Sequence, residues 1–270
     1  MAITFHRAAA VAAAVAATFV TTALAASTAS SAQTVVGLID GKSLVMIDGA
    51  SGKAGKSVAI RGASDLVGID VRPADGMLYG VTRDGTVVTI DPASGQATMK
   101  SKLQVMLPAG VGAVVDFNPV ADRLRLMGSD GTNLRANVDD GMVTKDGGLK
   151  FADSDMHKGE KANVVAGAYT NAVKGAKETT LYDIDATIGA LLKQVPPNDG
   201  VLNAVGKLGV TVSGPLAFDI APDGMGGNMA WLLAGGRLHK IDLATGKASA
   251  AALVSGASGV VTDIAIWPAM

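Results

Sequence analysis

The chain of 270 residues contains no cysteine. This absence excludes disulfides, thiol catalysis and cysteine-ligated zinc or iron–sulfur centres. Charged residues make up only 17% of the sequence, against an average of about 25%, and aromatic residues only 4%. So few aromatic side chains argue against an aromatic-lined ligand groove.

The sequence also lacks any excess or clustering of charge. It has 23 basic and 24 acidic residues, and no run of like charges occurs. Nucleic-acid binders carry clustered basic surfaces, because neutralisation of phosphates drives their affinity. We therefore expect no nucleic-acid partner. Beyond the N-terminus the apolar runs are short and broken by glycine, so we expect no membrane span in the mature chain.

The N-terminal segment has the organisation of a cleavable signal peptide. His6 and Arg7 form a basic start, an apolar run covers Ala8–Val20, and Ala23-Leu24-Ala25 gives the small-x-small pattern that signal peptidase recognises. The run is shorter than the roughly 20 apolar residues that a membrane anchor needs. We predict a signal peptide over residues 1–25, or 1–32 if cleavage follows Ala32. The protein would then be exported, either periplasmic or secreted, with residues 26–33 as a short flexible leader.

A repeat of strands and tight turns fills the mature chain. Each repeat begins with an apolar strand, which an Asp-Gly or Gly-Gly turn joins to a second strand. An Asp-x-x-(Ser/Thr)-Gly turn then leads to two further strands, of which the last is strongly apolar. Such turns between apolar runs favour hairpins. The opening strands lie about 40 to 55 residues apart, a period typical of propeller blades. They begin at Val36, Leu78, Leu124, Thr180 and Ala230.

The two ends of the repeat complement each other. The mature chain starts within the opening strand of a repeat. It ends in Val261–Pro268, which resembles the strongly apolar strand that closes each repeat. That strand can pair beside Val36 and remove the exposed strand edges. We predict one all-β domain over residues 34–268, a β-propeller-like repeat of about five blades closed by the C-terminal strand. A β-sandwich or β-solenoid is the alternative.

Three stretches resemble a known family. The first is Asp116–Pro119 with Asp122–Arg125, the second Asn133–Asn137, and the third runs from Ala168–Asn171 through Thr179–Ile184 to Pro196–Gly200. In this order and spacing they resemble DUF4394, a bacterial domain of unknown function found in exported proteins. The resemblance covers roughly residues 34–268 and implies a propeller-like domain but no activity. Ala172 and residues 174–177 depart from the usual pattern, which weakens any role inferred for that loop.

The resembling stretches also hold the densest group of polar side chains. The candidate binding residues are Asn118, Arg123, Arg125, Asn133, Arg135, Asn137, Tyr169, Asn171 and Asn198. Arginine suits apolar strands only when it is paired or binds a ligand, because its planar fork fits carboxylates and phosphates. One interpretation is a structural clamp that ties blades together through Asp116, Asp122 and Asp130. The other is a ligand pocket.

No catalytic or metal-binding motif is present. There is no HExxH and no G-x-S-x-G, and we expect one or both of His157 and His239 to be ordinary surface residues. Carboxylate pairs such as Asp153 with Asp155 and Asp183 with Asp185 could serve calcium, but none continues into an EF-hand loop. We expect Asp residues at strand ends to make turn hydrogen bonds. No catalytic residue, metal ligand or cofactor is predicted.

Together these features favour an exported, noncatalytic binding or interaction module of the cell envelope. Its partner would be an envelope protein or a small polar ligand, and we expect a monomer. The alternative is a propeller-type hydrolase or lactonase that uses a metal bound by scattered loop carboxylates.

Overall fold

The computed structural model describes residues 1–3, 33–249 and 252–267. Both predicted cleavage sites, and the signal peptide beyond Ile3, lie outside these residues. Within the described ranges no helix has the length and apolar character needed to cross a membrane.

The described strands form five small sheets, which we number as blades in chain order. Blade 1 contains β1 (Thr34–Ile39), β2 (Ser43–Asp48), β3 (Val58–Ala59) and the C-terminal β21 (Val261–Trp267). Blade 2 contains β4 (Leu66–Val71), β5 (Leu78–Thr82), β6 (Thr86–Ile90) and β7 (Ala97–Lys102). Blade 3 contains β8 (Ala113–Asn118), β9 (Arg123–Gly128), β10 (Asn133–Ala136) and β11 (Val143–Lys145).

Blade 4 has five strands where the others have four. It contains β12 (Lys150–Phe151), β13 (Val164–Tyr169), β14 (Leu181–Asp185), β15 (Ala190–Gln194) and β16 (Val201–Lys207). A 3₁₀ turn, Pro197–Asp199, joins β15 to β16. Blade 5 contains β17 (Ala217–Pro222), β18 (Asn228–Ala234), β19 (Arg237–Ile241) and β20 (Ala252–Leu253).

The sheets form a closed five-bladed β-propeller. The innermost strands β21, β4, β8, β13 and β17 each contact the next around a ring. The C-terminal β21 pairs antiparallel with β1, from Trp267 beside Thr34 to Val261 beside Ile39. The predicted closure by the C-terminal strand is therefore confirmed, and the sandwich and solenoid alternatives are wrong.

The sequence repeat and the structural blade are offset by one strand. The strongly apolar strand that ends each repeat is the innermost strand of the following blade; Val114, for example, lies in β8 of blade 3. The long spacing before Thr180 has a physical cause as well. The chain inserts β12, which runs parallel to β16 at the outer edge of blade 4, and a connecting loop before β13.

Apolar side chains fill the seams, by which we mean the contacts between facing sheets of adjacent blades. The seam between blades 5 and 1 packs Trp231 and Leu233 against Val45 and Ile264. Burial of such side chains supplies most of the stabilisation of a domain, at about 25 cal/mol per Å² of apolar area.

Turn chemistry follows the expected rules. Asp40 and Gly41 both have positive φ, as do Gly235 and Gly236, which matches the type I′ turns that hairpins favour. The carboxylates of Asp48, Asp91 and Asp242 accept backbone N–H groups of their own turns. The prediction that Asp residues at strand ends make turn hydrogen bonds is confirmed at these positions.

Candidate functional site

The ring of innermost strands leaves an open cavity at one end of the propeller axis. We call this cavity the axial mouth; its volume is about 480 Å³. Residues of all five blades line it, and most lie at or just before the first residues of the innermost strands. The apolar part comes from Val67, Val111, Val165 and Leu216.

Polar side chains form the rim of the axial mouth. Asp40, Asp65, Arg83, Ser129 and Thr262 contribute to it. Arg83 Nε lies 3.5 Å from Asp65 Oδ2, and both side chains are largely exposed to solvent. Asp40 and Asp65 hold left-handed backbone conformations, with φ of 50° and 57°. Aspartate adopts such values more readily than most non-glycine residues, which suits these two turns.

Three buried carboxylates meet deeper along the axis. One oxygen each from Asp70, Asp116 and Asp219 lies within 4.8 Å of the other two. Each of these aspartates follows a residue that lines the axial mouth by three positions along the same chain segment; Asp70, for example, follows Val67. At 3.3 Å per residue of strand, the aspartates therefore lie about 10 Å below the axial mouth. We call this group the axial carboxylates.

The axial carboxylates also tie adjacent blades together. Asp70 accepts the N–H of Phe117 at 2.7 Å, Asp116 that of Tyr169 at 2.9 Å, and Asp219 that of Ile266 at 2.6 Å. Each bond runs from one innermost strand to the next.

A fourth acid, Asp263, makes the same kind of bond. It accepts the N–H of Ile69 at 2.8 Å. Burial raises the pKa of Asp263 to about 8 and that of Asp219 to about 6. Burial, followed by repulsion between neighbouring carboxylates, raises the pKa of Asp70 and Asp116 well above the usual range.

Six of the nine candidate residues predicted from sequence meet in the seam between blades 3 and 4. At its centre is Arg125, which is 1% exposed. Its guanidinium donates to Tyr169 Oη at 3.1 Å, Asn133 Oδ1 at 2.9 Å, Asp146 Oδ2 at 2.6 Å and Asn198 Oδ1 at 2.8 Å. Since Tyr169 and Asn198 belong to blade 4, Arg125 bridges the two blades.

Arg135 is the fifth member of this group. It pairs with Arg125 across β9 and β10, and donates to both oxygens of Asp146 at 2.6 and 2.9 Å. Asp146 therefore forms ion pairs with two arginines at once. The interpretation as a clamp named Asp116, Asp122 and Asp130 as the acidic partners, but the structure uses Asp146.

The sixth member is Asn118, whose side chain hydrogen-bonds Tyr169 and also caps the turn after β8. The other three candidates lie in turns and do not join this group. Arg123 donates to the carbonyls of Ala121 and Asp122. Asn137 bonds within its own turn. Asn171 bonds Asn228 of blade 5. None of the nine candidates lines the axial mouth.

A family model described as "Domain of unknown function (DUF4394)" matches residues 43–265, which is most of the chain. The chain belongs to this family. A search among curated proteins found no match.

Solved structures with a similar fold include three from Bacteroides species. A protein of unknown function from Bacteroides thetaiotaomicron is 16% identical with a TM-score of 0.50, over 87% of this chain and 70% of that one. A protein of unknown function from Bacteroides caccae is 13% identical with a TM-score of 0.45, covering 85% and 76%. An auxiliary nutrient binding protein from Bacteroides ovatus is 14% identical with a TM-score of 0.45, covering 73% and 55%.

Sequence reasoning missed two polar groups of this DUF4394 domain. The axial carboxylates had a visible signal, because Asp70, Asp116 and Asp219 each precede a proline by three residues at the end of a strongly apolar strand. Arg72 had none. It is buried at the seam between blades 2 and 3, where it donates to Asp122 and Asp139 of blade 3.

The two histidines of the DUF4394 domain differ in burial. His239 is buried in β19, where its Nδ1 lies 3.1 Å from the carbonyl oxygen of Ser249, so of the two histidines it is not a surface residue. Among the described residues, the axial carboxylates are the one group of three acids or histidines close enough to share a cation. No histidine belongs to that group.

Proposed function

We propose that this DUF4394 protein is an exported, noncatalytic binding module of the cell envelope whose ligand enters the axial mouth. The observation that carries the proposal is the axial mouth itself. Its volume of about 480 Å³ lies within the range of about 300–1,000 Å³ typical of small-molecule sites. All five blades contribute to its wall, so the closed ring defines its shape.

The lining indicates the chemistry of the ligand. Apolar side chains, among them Val67, Val165 and Leu216, line part of the cavity, while Asp40, Arg83 and other polar groups lie at the rim. The exposed Arg83–Asp65 pair contributes little to stability, because solvent screens it, so its charges are free to contact a ligand. A small polar ligand with an apolar part fits this arrangement.

The N-terminal sequence supports export. A basic start, an alanine-rich apolar run and an Ala-x-Ala site precede the propeller. N-terminal sequencing of protein recovered from the periplasm or medium should begin at Ala26, or at Gln33 for the alternative site. Exported protein that retains Met1 would contradict this part of the proposal.

A second candidate function, metal-assisted hydrolysis, rests on the axial carboxylates rather than on scattered loop carboxylates. Oxygens 4.8 Å apart can share one calcium ion, whose bonds to oxygen are about 2.3–2.6 Å long. However, Asp70 and Asp219 already accept an N–H at each oxygen. This use of the carboxylates to hold the ring together favours the noncatalytic module.

A substitution that fills the axial mouth tests the proposed binding site. Thr262 is exposed in β21 at the rim, so Thr262→Trp should occupy the cavity and abolish ligand binding. The matched control is Thr144→Trp, the same change at an exposed position of β11 in the outer edge of blade 3. Thermal-shift screening of the mature protein against sugars, amino acids and small amines supplies the ligand, and calorimetry then measures its affinity.

The outcome separates the two functions. Loss of binding in Thr262→Trp with full binding in Thr144→Trp supports the axial mouth, and equal binding by both variants contradicts it. Hydrolysis of lactones or esters that requires calcium and is lost in Asp116→Asn would favour the metal-assisted alternative.

A further inference from the structure

Two fully buried side chains of blade 4 carry oxygen atoms without a hydrogen-bond partner. They are Asp183 in β14, with both carboxylate oxygens, and Gln194 in β15, with its amide oxygen. Both side chains are 0% exposed. Among the buried side-chain atoms of the described residues, these three oxygens alone are unpaired. Polar groups at such depth are otherwise paired with protein or with ordered water.

The three oxygens belong to one face of the sheet. Asp183 pairs with Leu192, and Gln194 pairs with Leu181, across the antiparallel strands β14 and β15. Because side chains alternate along a strand, Asp183 and Gln194 project from the same face as diagonal neighbours. Side chains of this length can meet at that separation.

This face looks into the seam between blades 3 and 4. Gly167 of β13 pairs with Asp183, and a Cβ atom at Gly167 would overlap Asp183 Oδ1. The same point lies 3.2 Å from Cε of Met127, a residue of blade 3. The missing side chain of Gly167 therefore makes the room that the carboxylate uses.

Arg125 brings the complementary chemistry from blade 3. Burial raises the pKa of Asp183 to about 8, and the nearby Arg125 charge opposes that rise. A guanidinium has five N–H donors, and Arg125 uses four of them on Tyr169, Asn133, Asp146 and Asn198. Among the described residues, Arg125 Nη2 donates to Asn198 alone. Its second N–H therefore remains for a further acceptor.

These groups define what can bind among them. At neutral pH Asp183 holds its proton, so its carbonyl oxygen and Gln194 Oε1 need a guest that donates hydrogen bonds, while its O–H and the remaining N–H of Arg125 need a guest that accepts them. A cation cannot accept, and the Arg125 charge repels it. Water does both, and buried waters typically make about three hydrogen bonds to polar groups that would otherwise be unpaired.

We infer that the seam between blades 3 and 4 contains a binding site for one water molecule, which donates to Asp183 and Gln194 and accepts from Arg125. The water completes a bridge between the only buried arginine of this seam and a carboxyl group on the facing blade. Other titratable groups of the seam are Asp116, Asp146 and Arg135 from blade 3 and Tyr169 and Asp185 from blade 4.

A crystal structure of the mature protein at about 1.5 Å near neutral pH tests the site directly. One density peak is expected about 2.6–3.2 Å from a carboxylate oxygen of Asp183 and from Gln194 Oε1. Direct contact between Asp183 and Gln194 through a shared proton, with no peak, would overturn the inference. A peak with distances of about 2.3–2.6 Å to several oxygens would overturn it too, since that spacing belongs to a cation.

Thermal melts of Asp183→Asn give a second readout. An asparagine still bonds the water but cannot ionise, so we expect a melting temperature at or above that of the parent at pH 7 and a smaller decline between pH 5 and 8. The control is Asp185→Asn, also 0% exposed on β14, whose carboxylate accepts N–H groups from Asn163, Thr187 and Ile188.

The control variant should melt several degrees lower at every pH and keep the parental decline. The site would be refuted if Asp183→Asn lost as much stability as Asp185→Asn at pH 7 and kept the decline of the parent.

Discussion

Adjacent blades are joined by different chemistry in two seams, the one between blades 5 and 1 and the one between blades 3 and 4. The first packs Trp231 and Leu233 of blade 5 against Val45 and Ile264 of blade 1, in an apolar contact. The second also has an apolar layer but places Arg125 at its centre, bonded across the blades. The fold alone therefore does not decide how two blades are joined.

The difference predicts how each seam responds to change. Apolar packing has no preferred direction, so it tolerates side chains of similar volume and does not depend on pH. Buried polar groups need every partner, because the removal of one leaves the other desolvated and unpaired. The apolar seam should lose stability gradually, whereas the polar seam should depend on single residues.

Removal of the C-terminal strand should have the largest effect. Deletion of Val261 to Met270 removes the innermost strand of blade 1 and the closure of the ring. The buried Val261, Ile264 and Ile266 leave with it. We expect a loss that exceeds the roughly 5–15 kcal/mol of a typical domain, seen as insolubility or loss of the cooperative melt.

A complementation experiment supplies the control for the deletion. A synthetic peptide of residues 261–270 should restore the cooperative melt when it is added during refolding. A soluble truncated protein with the parental melting temperature would contradict the closure.

Leu233→Ala should have the next largest effect, through the apolar seam. Leu233 is 4% exposed, and truncation of a buried leucine costs about 2–5 kcal/mol through lost contacts and the cavity left behind. Because no charge is involved, the loss should be equal at pH 5 and pH 9. Urea unfolding at both values measures it, and a pH-dependent loss would show that Leu233 acts through a titrating group of the seam such as Asp219, which accepts the N–H of Ile266. Leu233→Met, which preserves volume, is the control.

The axial acids should make the whole ring less stable as the pH rises. The folded-state pKa values of Asp219, about 6, and Asp263, about 8, lie above the value of about 3.9 expected in the unfolded chain. The folded protein therefore binds these protons more tightly, and this stabilisation is lost progressively from about pH 4, where the unfolded carboxyls ionise, up to about pH 6 for Asp219 and about pH 8 for Asp263.

Urea unfolding in the presence of a chelator, at pH 5, 7 and 9, should show a decline in the free energy of unfolding that is larger from pH 5 to 7 than from pH 7 to 9. Asp263→Asn should reduce the decline over the range from pH 5 to about pH 8. A profile that rises over this range would contradict the account.

Arg123→Ala should have the smallest effect. Arg123 lies two residues from Arg125 on β9, but its guanidinium donates only to carbonyls of the neighbouring turn. Surface substitutions of this kind change stability by about 0.5 kcal/mol or less. A loss of more than about 2 kcal/mol in denaturant unfolding would give Arg123 an undescribed role in the polar seam.

The fold could be predicted from sequence because its determinants are local or periodic. The Asp-Gly and Gly-Gly turns indicate hairpins, and the regular spacing of the opening strands from Val36 to Ala230 indicates blades. The strand that begins at Val261 has the character of the last strand of a repeat but no repeat of its own, which indicates that it closes the ring. The offset between repeat and blade was not predictable in the same way. It depends on which neighbour each strand pairs with, which is a property of the assembled ring.

The candidate site was predictable only in part. The density of Arg125, Asn133 and Arg135 indicated a polar group, but their acid is Asp146, which follows β11 and reaches them through the pairing of β10 and β11. Asn198 arrives from another blade. The axial mouth gave no signal, because single residues of five blades form it without any shared motif.

The unfolding free energy of Arg125→Ala, measured with and without phosphate, tests most directly whether the polar seam is a clamp. The account predicts a loss of about 3–5 kcal/mol, because Asp146, Asn133 and Asn198 are left without their common donor. It also predicts that phosphate leaves the parent's melting temperature unchanged. A variant that unfolds like the parent, together with a parent that phosphate stabilises, would contradict the clamp and make Arg125 part of an anion-binding site.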